Sequence, residues 1–462
     1  MPSINISPVF SDLCLKELFR QLWSYRGTWK LTQRRLQNPN LPTYEFVSKK
    51  QARKKIRHIY VCGLGATGSL GVKKFYHPEK TELKSLRTKD VGANQFTRLP
   101  EFKSDDKIND IACGYGFTIV AAQVDGTSQT ALGFGLNSHS QLGYQASRPG
   151  FPLEIVASPS PIWLPTDKPI VEVACGRSHS LLKNSAGEIF SLGNNSFGQC
   201  GRPIVEREEY FASKKVHKIG SLPSDIKQIA CGQDHSLFLS ESGILYSCGW
   251  GADGQTGLGD YEDHWEPKRV DGDLRGTQIV KVASCADTVI ALDSEGNVFG
   301  WGNAEYAQFQ TLTRIDQEQF NSPKYLNLSQ VPGKIIDIAA GGTMCAVLND
   351  QGQVYVWGFG YLGKGPTVDQ SSVPILIPES LFGRNIYNPD SGVVKIYAGL
   401  SHFAAVSDKG DLYTWGKNRG GALGFIHSND QSFPLRVNMD MAAVEKVALG
   451  VDHTCAIVER IG

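Results

Sequence analysis

Four histidines invite a chemical reading first. His179, His235, His402 and His453 each close a Gly-x-x-His segment, and each follows a hydroxyl or an acid, as in Ser178-His179, Asp234-His235 and Asp452-His453. A catalytic triad needs one nucleophile, one base and one orienting acid at a single point. Four equivalent copies spread along the chain cannot converge, so these histidines are expected to be structural, each fixing a turn by bonding a neighbouring backbone carbonyl. Phe117, Thr288 and Cys345 stand in the matching places of other copies and suit that role better than chemistry. Gly63-Leu64-Gly65-Ala66-Thr67-Gly68 fits a dinucleotide-binding loop, in which backbone amides and a helix N-terminus hold a pyrophosphate. Six similar glycine clusters follow and no amphipathic helix does, so the glycines belong to a repeat and no cofactor is expected. The ten cysteines form no CxxC pair and have no histidine at zinc spacing, so no metal site is expected. Most recur at one repeat position, as small buried thiols of a reducing compartment would.

The elements that must position these residues are written in the period. Anchors of the form small-Gly recur at Cys113-Gly114, Cys175-Gly176, Cys231-Gly232, Ser284-Cys285, Gly341-Gly342, Ala398-Gly399 and Leu449-Gly450. Ten or eleven residues on, Gly187, Gly243, Gly296, Gly352 and Gly410 end polar stretches between alternating apolar runs, which is a hairpin signal. Each second strand then ends in a pair: Cys62-Gly63, Phe134-Gly135, Leu192-Gly193, Cys248-Gly249, Trp301-Gly302, Trp357-Gly358 or Trp415-Gly416. Trp301, Trp357 and Trp415 are thereby marked as structural. The first half-repeat in the chain is a second half and the last is a first half, so one unit is divided between the ends. That closes a ring. The expected fold is all-β: a seven-bladed propeller over 58–462, one blade shared by both ends, with a basic, helical or flexible tail over 1–57. Outer strands are expected within 72–108, 144–169, 202–226, 260–278, 311–334, 366–394 and 425–443.

Composition narrows the function classes. A chain of 462 residues with 41% hydrophobic and 20% charged residues can bury a core, and glycine at 49 residues signals many turns. No apolar run reaches membrane-spanning length. The net charge of +1 hides an asymmetry: residues 1–60 carry +9 and the remainder −8. A propeller body that clamps a polyanion all round is not expected, because phosphate binding needs clustered Lys and Arg. Local candidates are Lys214, Lys215 and Lys218, and the run Lys49, Lys50, Arg53, Lys54, Lys55 and Arg57. That run suits RNA phosphates, anionic lipid or simply a solvated linker. Residues 1–36 hold six basic residues against Asp12 and Glu17, as a mitochondrial presequence would.

The motifs Arg177-Ser-His-Ser180, Gly193-Asn-Asn-Ser-Phe-Gly-Gln-Cys-Gly201, Cys248-Gly-Trp-Gly-Ala-Asp-Gly-Gln-Thr-Gly-Leu-Gly259 and Leu400-Ser-His-Phe-Ala-Ala405 resemble the regulator-of-chromosome-condensation repeat family. The likeness is greatest to its mitochondrial, exchange-factor-like branch. It implies a mitochondrial protein of the matrix, peripheral on the inner membrane, needed for ribosome biogenesis through large-subunit rRNA and assembly factors. It also implies guanine-nucleotide exchange on a dynamin-like fusion GTPase without covalent catalysis; the alternative is a protein and RNA scaffold without exchange activity. In the family's nuclear exchange factor, acids of the Gly-x-x-His loops face the GTPase. Asp234, Asp287 and Asp452, with Arg177 beside them, occupy comparable places here; an Asx turn is the competing use of those acids. The nuclear factor also carries a β-wedge insertion after one such glycine. Here the step from that glycine to the next loop position is five in all seven copies.

Overall fold

A computed structural model describes residues 55–75, 92–103, 105–125, 127–439 and 442–461. The chain divides into Met1–Ala52 and Arg53–Gly462; the first unit, with Lys49 and Lys50, lies outside the described residues, as do Arg53 and Lys54. Seven four-stranded antiparallel sheets make up the second unit. Blade 1 runs inner to outer through Lys107–Cys113, Phe117–Gln123, Ala131–Leu136 and Ile155–Pro161. Blades 2 to 6 repeat that order, starting at Ile170–Cys175, Ile226–Cys231, Ile279–Ser284, Ile335–Ala340 and Val393–Ala398. Blade 7 takes its two inner strands from Ala443–Leu449 and His453–Ile461 and its two outer ones from Lys55–Leu64 and Gly92–Arg98. The two chain ends pair from Lys55↔Ile461 to Gly63↔His453. The ring is closed as its half-repeats foretold. The outer strands fall inside the anticipated segments. Among the described residues a small two-stranded hairpin of Ala146–Arg148 with Phe151–Pro152, one four-residue α-helix, Gln310–Thr313, and a few 3-10 turns complete the fold.

One anchor differs from the sequence reading. Gly341 N–H donates to Met344 O at 2.8 Å, as Gly232 does to His235 at 3.0 Å, and Met344 pairs with Gly358 as His235 pairs with Gly249. The anchor is therefore Ala340-Gly341, and Met344 rather than Cys345 replaces the histidine. Two adjacent glycines had offered two registers. With the correction the hairpin glycine follows its anchor by eleven residues in blades 2 to 6.

The glycine of each second pair is required by contact. Its neighbour's N–H reaches back to the loop carbonyl before the histidine position: Leu64 to Asp452, Trp250 to Asp234, Asn303 to Asp287, at 2.8 to 2.9 Å. A Cβ on Gly249 (φ +118°) would lie 2.6 Å from Asp234 O. Five positions on, every copy needs positive φ: Gly68, Gly198, Gly254, Gly363 and Gly421 supply it freely, whereas Ser140 (φ 56°) and Ala307 (φ 62°) adopt it under strain.

Candidate functional site

The loops joining the first and second strands of each blade gather at one end of the central shaft. Their inner edge is a backbone ring in part: Arg177 N–H donates to Gln233 O at 2.8 Å, Gln233 N–H to Ala286 O at 3.2 Å, and Gly342 N–H to Leu400 O at 3.0 Å. Aspartates project from this rigid rim. Asp234 is buried against Arg177, whose Nη2 lies 2.5 Å from Oδ2, while Gln199 Nε2 donates to Oδ1 at 3.4 Å. Asp287 accepts from Gln255 Nε2 at 3.2 Å. Burial, with Asp253 nearby, pushes its carboxyl up to about 7. Asp452 faces Arg419 at 3.5 Å, and burial raises its carboxyl too. Tyr115 reaches across to Gln233, its hydroxyl donating to Oε1 at 3.1 Å. An open groove of about 230 Å³ beside Arg177 is lined by Tyr115, His139, Ser178 and Asn194. Among the described residues the three aspartates thus bond side chains of neighbouring blades, and none shows an Asx turn. Arg177, Asp234, Asp287 and Asp452 do share one end of the ring.

The histidines do something other than bond the nearest carbonyl. His179 Nε2 lies 3.1 Å from Ser236 Oγ, His402 Nε2 3.1 Å from Thr454 Oγ1, and His453 Nε2 2.9 Å from Thr118 Oγ1. Each crosses to the next blade. The hydroxyl in turn donates to a carbonyl of that histidine's own blade or its loop system: Ser236 to Gln199 O at 2.7 Å, Thr454 to Ala422 O at 2.7 Å, Thr118 to Ser69 O at 2.9 Å. Where no hydroxyl is available, tryptophan takes its place. Val289 and Cys345 pair with Trp301 and Trp357, whose Nε1 groups donate to Gln255 O at 3.0 Å and Gln308 O at 2.8 Å. In blade 6, Phe403 stacks on Trp415 and the indole N–H has no partner. Burial holds all four imidazoles neutral, His179, His235 and His453 down to about 3 and His402 to about 4.

Sequence reasoning missed two sets. Gln141, Gln199, Gln255 and Gln308 are fully buried loop residues; each carbonyl caps its own loop, as Gln255 Oε1 does for Asp253 N–H at 2.9 Å. Two of them stand in Gly-Gln pairs, Gly198-Gln199 and Gly254-Gln255, but the sequence alone does not show that the side chain folds back on its own loop. The second set is a polar residue at the third or fourth position of the inner strands. Asp110 accepts from Val173 N–H at 3.1 Å, Glu172 from Ile229 N–H at 3.0 Å, Gln228 from Val282 N–H at 3.1 Å, and Asp337 from Ile396 N–H at 3.0 Å. Lys281 pairs with Asp337, Lys395 donates to Glu445 O at 3.0 Å, and Lys446 pairs with Asp110. Together they link all seven blades around the shaft.

The basic candidates are mostly engaged. Lys215 and Lys218 pair with Glu208 and Glu188, and Lys214 sits 4.9 Å over the Tyr144 ring. Arg57 donates to Ile108 O at 3.0 Å and pairs with Glu445 at 2.7 Å, while Lys55 opens the shared blade's strand. The Gly63–Gly68 run is a repeat loop, and the described residues that follow it directly form a 3-10 turn at Lys73–Phe75. No described helix is long and apolar enough to cross a membrane. The nine described cysteines are free thiols.

Comparison with known proteins agrees with this architecture. The model of the regulator of chromosome condensation (RCC1) repeat matches residues 130–182, 186–239, 242–292 and 409–457. The human "RCC1-like G exchanging factor-like protein" is 44% identical over 431 residues, 91% of this chain and 90% of that one. The crystal structure of human WBSCR16 superposes with a TM-score of 0.79 at 44% identity, covering 87% of this chain and 98% of that one. Yeast RCC1 (Prp20), solved bound to Kap60, shares the fold at a TM-score of 0.70 and 20% identity, covering 93% and 97%. Repeat matches along the chain, and a relative 44% identical over nine-tenths of both sequences, carry the assignment: the chain belongs to the RCC1-repeat family.

Proposed function

We propose that this propeller is a mitochondrial regulator that promotes GDP release from a dynamin-like fusion GTPase and takes part in large-subunit ribosome assembly. The reading rests on one observation, the placement of Asp234, Asp287 and Asp452 at equivalent points on a rigid rim. GTPases hold nucleotide through a lysine and magnesium on the phosphates. A carboxylate advanced into that pocket competes for the lysine and loosens the nucleotide, with no bond made or broken. Human and mouse relatives named as exchange-factor-like at 44% identity support the class. The matrix location, the contact with large-subunit rRNA and its assembly factors, and peripheral inner-membrane association belong to the same proposal. The basic residues of 49–55 are its polyanion contact, since Lys215, Lys218 and Arg57 already have carboxylate partners. The test is release of labelled GDP from the purified GTPase. Catalytic amounts of the protein accelerate it, and Asp287→Asn with Asp452→Ala slows it at least tenfold; release at the intrinsic rate overturns exchange.

A second reading, a scaffold without exchange activity, draws on the burial of Asp234, whose side chain is 1% exposed and held by Arg177. Salt-sensitive RNA binding that is lost on neutralising the basic residues of 49–55, with GDP release unchanged, selects it.

A further inference from the structure

The sevenfold repeat allows each joint between blades to be compared with six others, and one is chemically unlike the rest. Where blade 7 meets blade 1, the Sγ atoms of Cys113 and Cys455 and a ring nitrogen of His453 all lie within 4.8 Å of one another. Thr118 Oγ1 stands 3.8 Å from each sulfur and 2.9 Å from His453 Nε2. In the other joints the position of Cys455 holds Ile119, Leu181, Leu237, Ile290, Ala346 or Ala404. Only here does a second thiol join the cysteine, hydroxyl and histidine positions. The cluster is assembled by ring closure from residues more than 300 apart, so no sequence spacing announces it.

We propose that Cys113, Cys455 and His453 bind one thiophilic divalent ion of the zinc class, with Thr118 Oγ1 at the fourth corner. Zinc takes sulfur at about 2.3 Å and imidazole nitrogen at about 2.0 Å in tetrahedral sites, so its donors stand roughly 3.3 to 3.8 Å apart. The distances to the two sulfurs reach that spacing by closing about 1 Å or less, and the 2.9 Å between Thr118 Oγ1 and His453 Nε2 opens by a few tenths of an ångström. Two thiols lose their protons to solvent as two metal–sulfur bonds form, and two thiolates then neutralise the dication, leaving no net charge in a buried joint. Cys113 also lines the small cavity at the shaft, of about 70 Å³, which gives the ion a way in. Bound there, the ion clips the C-terminal strand to blade 1.

The test uses the full chain, reduced, freed of metal and titrated with Co²⁺. One equivalent gives tetrahedral visible bands and a sulfur-to-cobalt charge-transfer band, and one equivalent of Zn²⁺ removes both. Cys455→Ala, a residue that blades 5 and 6 already carry at this place, weakens binding at least a hundredfold. Cys231→Ser, at another joint, binds as the parent does. Zn²⁺ raises the thermal midpoint of the parent and leaves that of Cys455→Ala unchanged. Absence of the bands, bands that persist in Cys455→Ala, or uptake of Cu⁺ alone overturns the proposal.

Discussion

A histidine bonded to the hydroxyl of the next blade ties two sheets with one side chain, and its neutrality has a measurable consequence. The unfolded chain protonates its histidines near pH 6.5, while the folded chain holds His402 down to about 4. Between those values the unfolded state binds the extra proton, so this contribution to stability is lost as pH falls, by about 1.4 kcal/mol per unit. Asp287, pushed up to about 7, acts in the opposite direction: between about 4 and 7 the folded state holds the extra proton. The histidine part is isolated by His402→Gln, which shrinks the difference in urea stability between pH 7.5 and 5.5 by about 1 kcal/mol; an unchanged difference contradicts burial of a neutral ring. The tryptophans separate in the same way. Trp301→Phe leaves the Gln255 carbonyl without its donor and costs about 1–3 kcal/mol beyond the change in packing. Trp415→Phe loses no hydrogen bond, since that N–H is unpaired, and costs less. Equal losses in the two variants would remove the indole–carbonyl bond from the list of stabilising contacts.

At the scale of the element, strand pairing builds a blade and polar side chains of the inner strands join one blade to the next. Asp110 serves three partners, the Ile111 and Val173 amides and Lys446. Asp110→Ala therefore strands a buried amide and leaves Lys446 unpaired, at about 3 kcal/mol. Arg436→Ala, which breaks the exposed pair with Asp411 on an outer strand, costs under about 1 kcal/mol. Denaturant midpoints of the two variants check the ranking. The loop elements offer the reverse case: Ala307→Gly relieves a left-handed backbone and raises stability by about 1 kcal/mol. The strands and turns were legible because glycine at positive φ leaves a mark at fixed intervals. The inter-blade contacts were not. Asp110 finds its partners 63 and 336 residues away, and a single strand read alone shows only one polar residue among apolar ones. Adjacent glycines also blurred one anchor, which the Gly341–Met344 bond and the Met344–Gly358 pairing resolved.

For the whole molecule, closure by both ends makes the ring rigid and leaves its two faces with different work. The face of hairpin glycines, such as Gly187 and Gly243, carries tight turns; the opposite face carries the aspartates, Arg177, Tyr115 and the groove beside them. Seven blades, their order and the divided unit could be read from the sequence, as could which loops bear acids. That arginines and glutamines of neighbouring blades hold those three acids could not, because the pairing exists only once the loops meet around the shaft. Removing the last strand, His453–Ile461, takes away every partner of Lys55–Leu64 on its inner side, and the truncated chain is expected to lose cooperative unfolding. Hydrogen exchange of the protein alone and saturated with the GTPase tests the functional claim most directly. Protection is predicted at 114–117, 176–179, 232–235, 285–288 and 450–453 and nowhere on the hairpins; protection confined to the hairpins around Gly187, Gly243, Gly296, Gly352 and Gly410 would contradict it.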